Sequence, residues 1–124
     1  MPGSRQADKN LFEKPNLLTL FNLIIGRRQH LRVVGESMKG TLSEGDLITY
    51  KKINPNNPDL EIGDIVIASH PKSKSKLIIK RIYGVYQNKF DLRGDNLLFS
   101  TDSREWGLIE LDYIVGKVEK IFTK

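Results

Sequence analysis

The sequence predicts a mainly β domain with one short N-terminal helix, and three observations support this prediction. After residue 30, short apolar and β-branched runs account for most of the hydrophobic residues. Turn-forming pairs such as Gly45-Asp46 and Gly63-Asp64 stand directly before two of these runs. At 124 residues the chain can bury one hydrophobic core and is too short for two. We therefore expect a single β domain that also carries any active site.

Six strands are predicted from the alternation of apolar and polar residues. Gln87-Asn88 lies between two of them and is typical of a tight hairpin turn. The segment 54–59 contains two prolines and three asparagines and predicts a loop. The lysine-rich segment 72–76 follows Pro71 and predicts a solvated loop tip. The predicted strands cover residues 31–34, 46–51, 64–70, 77–85, 89–93 and 114–122.

The N-terminal part divides into two predicted segments. Residues 1–16 combine Pro, Gly, Ser and charge without periodicity, which predicts a flexible arm. Residues 17–30 are predicted to form a short amphipathic helix and linker, because apolar residues recur at helical spacing from Leu17 to Ile25. This apolar stretch is too short to span a membrane. The helix either packs on the domain at 31–124 or contacts substrate or a membrane surface.

Composition excludes several kinds of site. The chain has no cysteine and two histidines, so we expect no disulfide, no metal and no cofactor. Its net charge of +5 is spread along the chain, and segment 72–76 lacks aromatic residues for base stacking, which argues against nucleic-acid binding. With no transmembrane anchor or secretory signal expected, we predict a cytoplasmic protein.

Ser37 and Lys80 are the candidate catalytic pair. Ser37 lies in a turn of small and polar residues, just after a predicted strand, where a hydroxyl can face a groove. Strand alternation places Lys80 on the same face as Ile78 and Ile82, and burial there would lower its pKa toward that of a general base. Taken alone, Ser37 could be an ordinary turn serine, and Lys80 could be an edge lysine whose amine reaches water.

Three sequence boxes, taken together, favour the catalytic interpretation. In order, they are Val34-Gly35-Glu36-Ser37-Met38, Lys80-Arg81, and Gly94-Asp95-Asn96 followed by Ser100-Thr101-Asp102-Ser103-Arg104. In this order and spacing, they resemble the boxes of the signal peptidase I-like Ser/Lys serine proteases. The resemblance implies the β-fold shared by signal peptidases and self-cleaving SOS repressors, and a protein substrate. It also implies that Ser100 hydrogen-bonds the lysine amine and that Asp102 pairs with Arg104.

Two positions depart from the pattern of that family. Gly35 stands where some relatives have a serine that helps to bind the oxyanion, so the Ser37 N–H would carry most of that task here. Gly40 replaces the usual proline after the nucleophile, which we expect to loosen the turn. The remaining box residues Met38, Gly94, Asp95 and Asn96 match and are expected to support the site.

Within the family, the chain most resembles the compact, anchor-free maturation proteases of nickel-type superoxide dismutase. That resemblance implies removal of an N-terminal leader from a superoxide dismutase precursor. Two alternatives stay open: a general signal-peptidase-like enzyme acting on membrane or exported precursors, and a non-catalytic β module that binds peptides by strand addition.

Overall fold

A computed structural model describes residues 28–98 and 100–123, and strands dominate it. Seven strands form a single sheet in the order β1-β2-β7-β3-β4-β5-β6, with every neighbouring pair antiparallel. The elements are β1 Arg28–Arg32, β2 Leu47–Lys52, β3 Ile65–His70, β4 Ser73–Tyr86, β5 Lys89–Arg93, helix α1 Ser103–Trp106, β6 Ile109–Glu110, a 3-10 turn Leu111–Tyr113 and β7 Ile114–Phe122. The predicted fold class is confirmed.

The largest errors in the predicted strand boundaries are at the starts of two strands, and the first strand also ends at Arg32 rather than at residue 34. The first strand begins at Arg28 rather than residue 31, because its polar residues pair in register with β2 from Arg28↔Lys51 onward. Strand β4 begins at Ser73, so most of the lysine-rich segment is strand rather than loop. His70 pairs with Ser73 across a tight turn, which extends the β3–β4 hairpin. The segment is nevertheless exposed.

Other sequence predictions fare differently. The Gln87-Asn88 turn between β4 and β5 and the loop at 54–59 are confirmed. Helix α1 and strand β6 were not predicted. The predicted arm at 1–16 and the helix from Leu17 to Ile25 lie outside the described residues.

Two hydrophobic clusters cover the sheet. Adjacent residues of β3 contribute to different clusters, because successive side chains of a strand point to opposite faces of the sheet. Val66 belongs to one cluster and Ile67 to the other. The second cluster includes Met38 and Leu42, each 1% exposed, from the turn that carries Ser37. This turn is therefore anchored in the core although Ser37 itself is only half-buried. The first cluster comprises Val66, Ala68, Ile82, Phe90, Leu92, Ile109 and Ile114, and the second comprises Val33, Met38, Leu42, Ile48, Tyr50 and Ile67.

Candidate active site

The turn that carries Ser37 follows β1 and is held by its own backbone. The Lys39 N–H donates to the Glu36 carbonyl at 3.1 Å, and the Leu42 N–H donates to the Met38 carbonyl at 2.8 Å. Buried Met38 and Leu42 fix one side of this turn to the core, and Ser37 lies between them and solvent. The sequence thus places a hydroxyl on an anchored turn.

Both departures from the family pattern lie at backbone positions that favour glycine. Gly35 has a φ of 86° and Gly40 a φ of 106°. Side-chain-bearing residues rarely adopt such angles, and proline, whose φ is held near −65°, cannot adopt the one at Gly40. A serine at position 35 would be strained in this backbone. The turn after Ser37 is therefore built on a different geometry from one that contains proline.

Lys80 lies in β4 with its side chain buried, as the alternation predicted. It is 5% exposed and stands opposite Val66, which is fully buried. Burial lowers the pKa of the Lys80 amine, and the positive charges of Arg104 and Lys76 lower it further, while Asp102 acts in the opposite direction. A lowered pKa raises the fraction of neutral amine near pH 7, which is the form that can accept a proton.

Ser100 links Lys80 to Asp102. The Lys80 Nζ donates to the Ser100 Oγ at 3.2 Å, and the Ser100 hydroxyl donates to Asp102 Oδ2 at 2.7 Å. Because the hydroxyl proton of Ser100 points at the carboxylate, its oxygen lone pairs are left to accept from the amine. Ser100 therefore fixes the direction of the Lys80 head group, which is the contact that the family resemblance implies.

Asp102 is buried, and its carboxylate accepts hydrogen bonds from several donors. Only 1% of its surface is exposed, and it caps the N-terminus of α1 by accepting from the Arg104 N–H. The Arg104 guanidinium donates to both carboxylate oxygens, at 2.9 and 2.7 Å, and the Gly94 N–H donates at 2.9 Å. Burial alone would raise the pKa of Asp102, but these hydrogen bonds and that from Ser100 outweigh it and hold the pKa well below its usual range.

The loop at 94–96 makes hydrogen bonds both to Asp102 and to the turn that carries Ser37. The Asn96 N–H donates to the Ser37 carbonyl at 2.8 Å, and its side-chain amide donates to the Glu36 carbonyl at 2.9 Å. Asp95 accepts from the hydroxyl of Thr41 and from the Arg81 guanidinium, whose Nη2 lies 2.8 Å from its Oδ2. From the sequence, Asp95 was expected to support the site, but no local pattern could identify donors 14 and 54 residues away.

Gly94 lies against both the Ser37 turn and Ser100. A Cβ atom added to it would lie 2.5 Å from the Ser37 carbonyl oxygen and would also overlap the Ser100 hydroxyl. We therefore expect Gly94→Ala to lower the free energy of unfolding by about 1–3 kcal/mol through overpacking, and to reduce activity by displacing Ser37 from Lys80. Urea unfolding and a cleavage assay on the remaining folded protein measure the two effects.

Gly116 provides the matched control for this prediction. Its added Cβ would overlap the Tyr50 ring and approach the Lys51 carbonyl, which is a comparable clash on β7. Gly116→Ala should lose comparable stability but keep its activity at temperatures where it is folded. Equal activity losses in the two variants would contradict a positional role for Gly94.

Ser37 and Lys80 open into the same cleft, which has a volume of about 320 Å³. One wall is the segment that leaves β1 and the other is the first half of β4. Among the strands that the structure describes, that half of β4 pairs with β3 alone, because its pairing with β5 begins at Arg81. In the described sheet, β1 pairs with β2 alone. The lining residues are Leu31, Arg32, Val33, Val34, Ser37, Ile48, Ile67, Lys76, Leu77, Ile78, Ile79 and Lys80.

The described residues offer no metal site, since across 28–98 and 100–123 no three His, Asp or Glu side chains converge as ligands would. The helical elements in the same ranges have four and three residues and are far too short to cross a bilayer.

The fold is mainly β, and a serine on an anchored turn lines the same cleft as a buried lysine. Residues 15–88 match the family model described as signal peptidase, peptidase S26. The chain belongs to this family. The matched region contains Ser37 and Lys80 and ends before the 94–104 segment.

Curated relatives are similar over most of the chain. The mitochondrial inner membrane protease subunit 1 of Mus musculus is 30% identical over 104 residues, covering 68% of this chain and 63% of that protein. The Homo sapiens protein of the same name gives the same identity and coverage. The mitochondrial ATP-independent inner membrane protease subunit 1a of Arabidopsis thaliana is 28% identical over 108 residues, covering 68% and 64%. The chain thus spans less than two thirds of the length of these relatives.

Proposed function

We propose that the protein is a serine endopeptidase in which Ser37 is the nucleophile and Lys80 the general base. The observation that carries this proposal is the buried Lys80 amine, whose lowered pKa and hydrogen bond to Ser100 occur in the same cleft as Ser37. A desolvated lysine can take the role that histidine has in other serine proteases. Family membership supports the same reaction class.

The reaction follows from these groups. Neutral Lys80 accepts the Ser37 hydroxyl proton as Oγ attacks the scissile carbonyl carbon, and the Ser37 N–H stabilises the resulting oxyanion. The C–N bond breaks when the lysine ammonium gives its proton to the departing amine, which leaves an ester on Ser37. Lys80 then takes a proton from water, whose oxygen attacks the ester, and returning that proton to Ser37 releases the acid.

The cleft fits an extended peptide. Both walls have a strand edge with no partner among residues 28–98 and 100–123, and these edges offer main-chain groups to a substrate strand inserted between them. Ile48 and Ile67 also line the cleft and offer apolar contacts to the side chains of that strand. A folded protein cannot enter a cleft of about 320 Å³, so the part of a substrate that enters it is an extended segment, such as the leader of a precursor.

As the substrate we propose the leader of a nickel superoxide dismutase precursor, in the cytoplasm. The three sequence boxes, with Ser-Met, Lys-Arg and Gly-Asp-Asn followed by Ser-x-Asp-Ser-Arg, support this choice. The alternative is a precursor at a membrane, which the names of the curated relatives favour.

Intact mass spectrometry tests reaction and substrate together. The wild-type chain is incubated with a purified nickel superoxide dismutase precursor and, separately, with a precursor that carries a generic signal peptide. We expect the wild type to remove a leader-sized mass from the dismutase precursor, and Ser37→Ala to remove none. Ser43→Ala, an exposed serine six residues further along the chain, is the matched control and should remain fully active.

The other outcomes discriminate between the alternatives. Cleavage of the signal-peptide precursor alone would keep the chemistry and assign the substrate to membrane or exported proteins. Unchanged masses for both precursors, with binding still measurable, would instead identify a non-catalytic peptide-binding module. Cleavage by Ser37→Ala at the wild-type rate would exclude Ser37 as the nucleophile.

A further inference from the structure

The walls of the cleft carry positive charge without a balancing carboxylate. Among the described residues that line it, Arg32, Lys76 and Lys80 are basic, and none is Asp or Glu. Arg32 is held on its wall because its guanidinium donates to the Gly45 carbonyl at 2.7 Å. Lys80 is buried and has a lowered pKa, so Arg32 and Lys76 are the cations that an incoming peptide meets.

Lys76 is placed to face the substrate. It lies on β4 four residues before Lys80, next to the stretch from Leu77 that pairs regularly with β3, and it is exposed and lines the same cleft. Four residues of strand separate the two Cα atoms by about 13 Å. Across residues 28–98 and 100–123, no carboxylate forms an ion pair with Lys76. Its charge reaches the site, since it contributes to the lowered pKa of Lys80.

We propose that Lys76 selects leaders with an acidic side chain about four residues before the scissile bond. This inference rests on the proposed endopeptidase function and identifies its substrate class more closely. In the proposed binding mode an extended leader runs parallel to β4 with the same rise per residue, so a residue four places before the bond at Lys80 lies opposite Lys76. A glutamate there pairs with Lys76, whereas a lysine is repelled by both Lys76 and Arg32.

The expected selectivity is modest, because an ion pair at a solvent-exposed position is weakened by water and salt. Pairs of this kind change an equilibrium by up to about fivefold. We therefore expect kcat/KM to be about three- to fivefold higher for a peptide with Glu at this position than for one with Gln, with Lys lowest. The differences should shrink as the salt concentration rises above physiological levels.

The experiment uses three short synthetic peptides that span the cleavage site found by intact mass and differ by Glu, Gln or Lys at the fourth residue before it. Each is assayed with wild type, Lys76→Glu and Lys74→Glu. Lys74 is the charge-matched control, since it lies two residues away over the Tyr113 ring at 5.0 Å and does not line the cleft. Wild type and Lys74→Glu should prefer Glu, and Lys76→Glu should prefer Lys.

The outcomes distinguish the failure of selection by Lys76 from the failure of the proposed endopeptidase function. Cleavage of all three peptides at equal rates by wild type would overturn the selection by Lys76 and leave the endopeptidase function intact. Reversal of the preference in Lys74→Glu as strongly as in Lys76→Glu would also overturn it, because net charge and not position would then be responsible. Failure of wild type to cleave any peptide would overturn both.

Discussion

Lys80→Met is expected to lower kcat/KM by at least about 10³-fold while the protein stays folded. Methionine fills much of the same buried space but has no lone pair that can take the Ser37 proton. Burying an amine is costly, so the variant should be as stable as wild type or more stable near neutral pH. Steady-state cleavage and urea unfolding of the same preparation measure both effects.

The pH dependence of wild-type activity gives an independent check. The protonated amine is inactive as a base, so kcat/KM should rise with pH and level off above the pKa of Lys80, which lies below the ordinary lysine value of about 10.5. Lys89 is an exposed lysine of β5, and Lys89→Met should reproduce the wild-type pH profile.

Ser100→Ala keeps the Lys80 amine but removes the hydrogen bond that orients it, so the variant should cleave more slowly without losing all activity. A fully active Lys80→Met protein would refute the assignment.

Asp102→Ala is expected to give the largest loss of stability, about 3–5 kcal/mol. The substitution leaves the Gly94 N–H and the Ser100 hydroxyl without their acceptor and removes the cap of α1. Since Gly94 and Ser100 border the site, cleavage should fall as well. The midpoint and slope of urea unfolding give the change in stability.

Asp91→Ala is the matched control, because Asp91 pairs with Arg93 at the same i, i+2 spacing at a less buried position. Its loss should be much smaller, as is usual for pairs near solvent. The low pKa of Asp102 also fixes the sign of the acid response. Its contribution is present above the unfolded carboxyl pKa of about 4 and is lost as pH falls toward the folded value. Equal losses for Asp91→Ala and Asp102→Ala would contradict the role of burial.

Local patterns in the sequence were sufficient to predict the burial of Lys80 but not the hydrogen-bond donors that surround Asp102. A period of two residues places Lys80 between Ile78 and Ile82, and neighbours along the strand decide its burial. An aspartate two residues before an arginine looks like a surface pair, and the sequence gives no sign that Gly94 and Ser100 also donate to it. Those donors come from a loop whose position depends on the whole sheet.

The ends of the strands also depend on partners that are distant in the sequence. Polar residues Arg28 to His30 carry no apolar alternation, yet they are strand because β2 offers them hydrogen-bonding partners. Ser73 joins β4 because it pairs with His70 across the turn, although its neighbours are lysines. Backbone hydrogen bonding makes these residues part of a strand, and it cannot be predicted from the pattern of their side chains.

The position of the cleft along its two walls has a consequence for turnover. The wall residues at 31–34 precede Ser37, and those at 76–79 precede Lys80. A leader that runs parallel to both walls would therefore retain, after cleavage, nearly all the contacts that it had as part of the precursor, while the shortened protein retains few. We expect the products to depart in order, protein first, and the accumulated leader to compete with fresh precursor as an inhibitor.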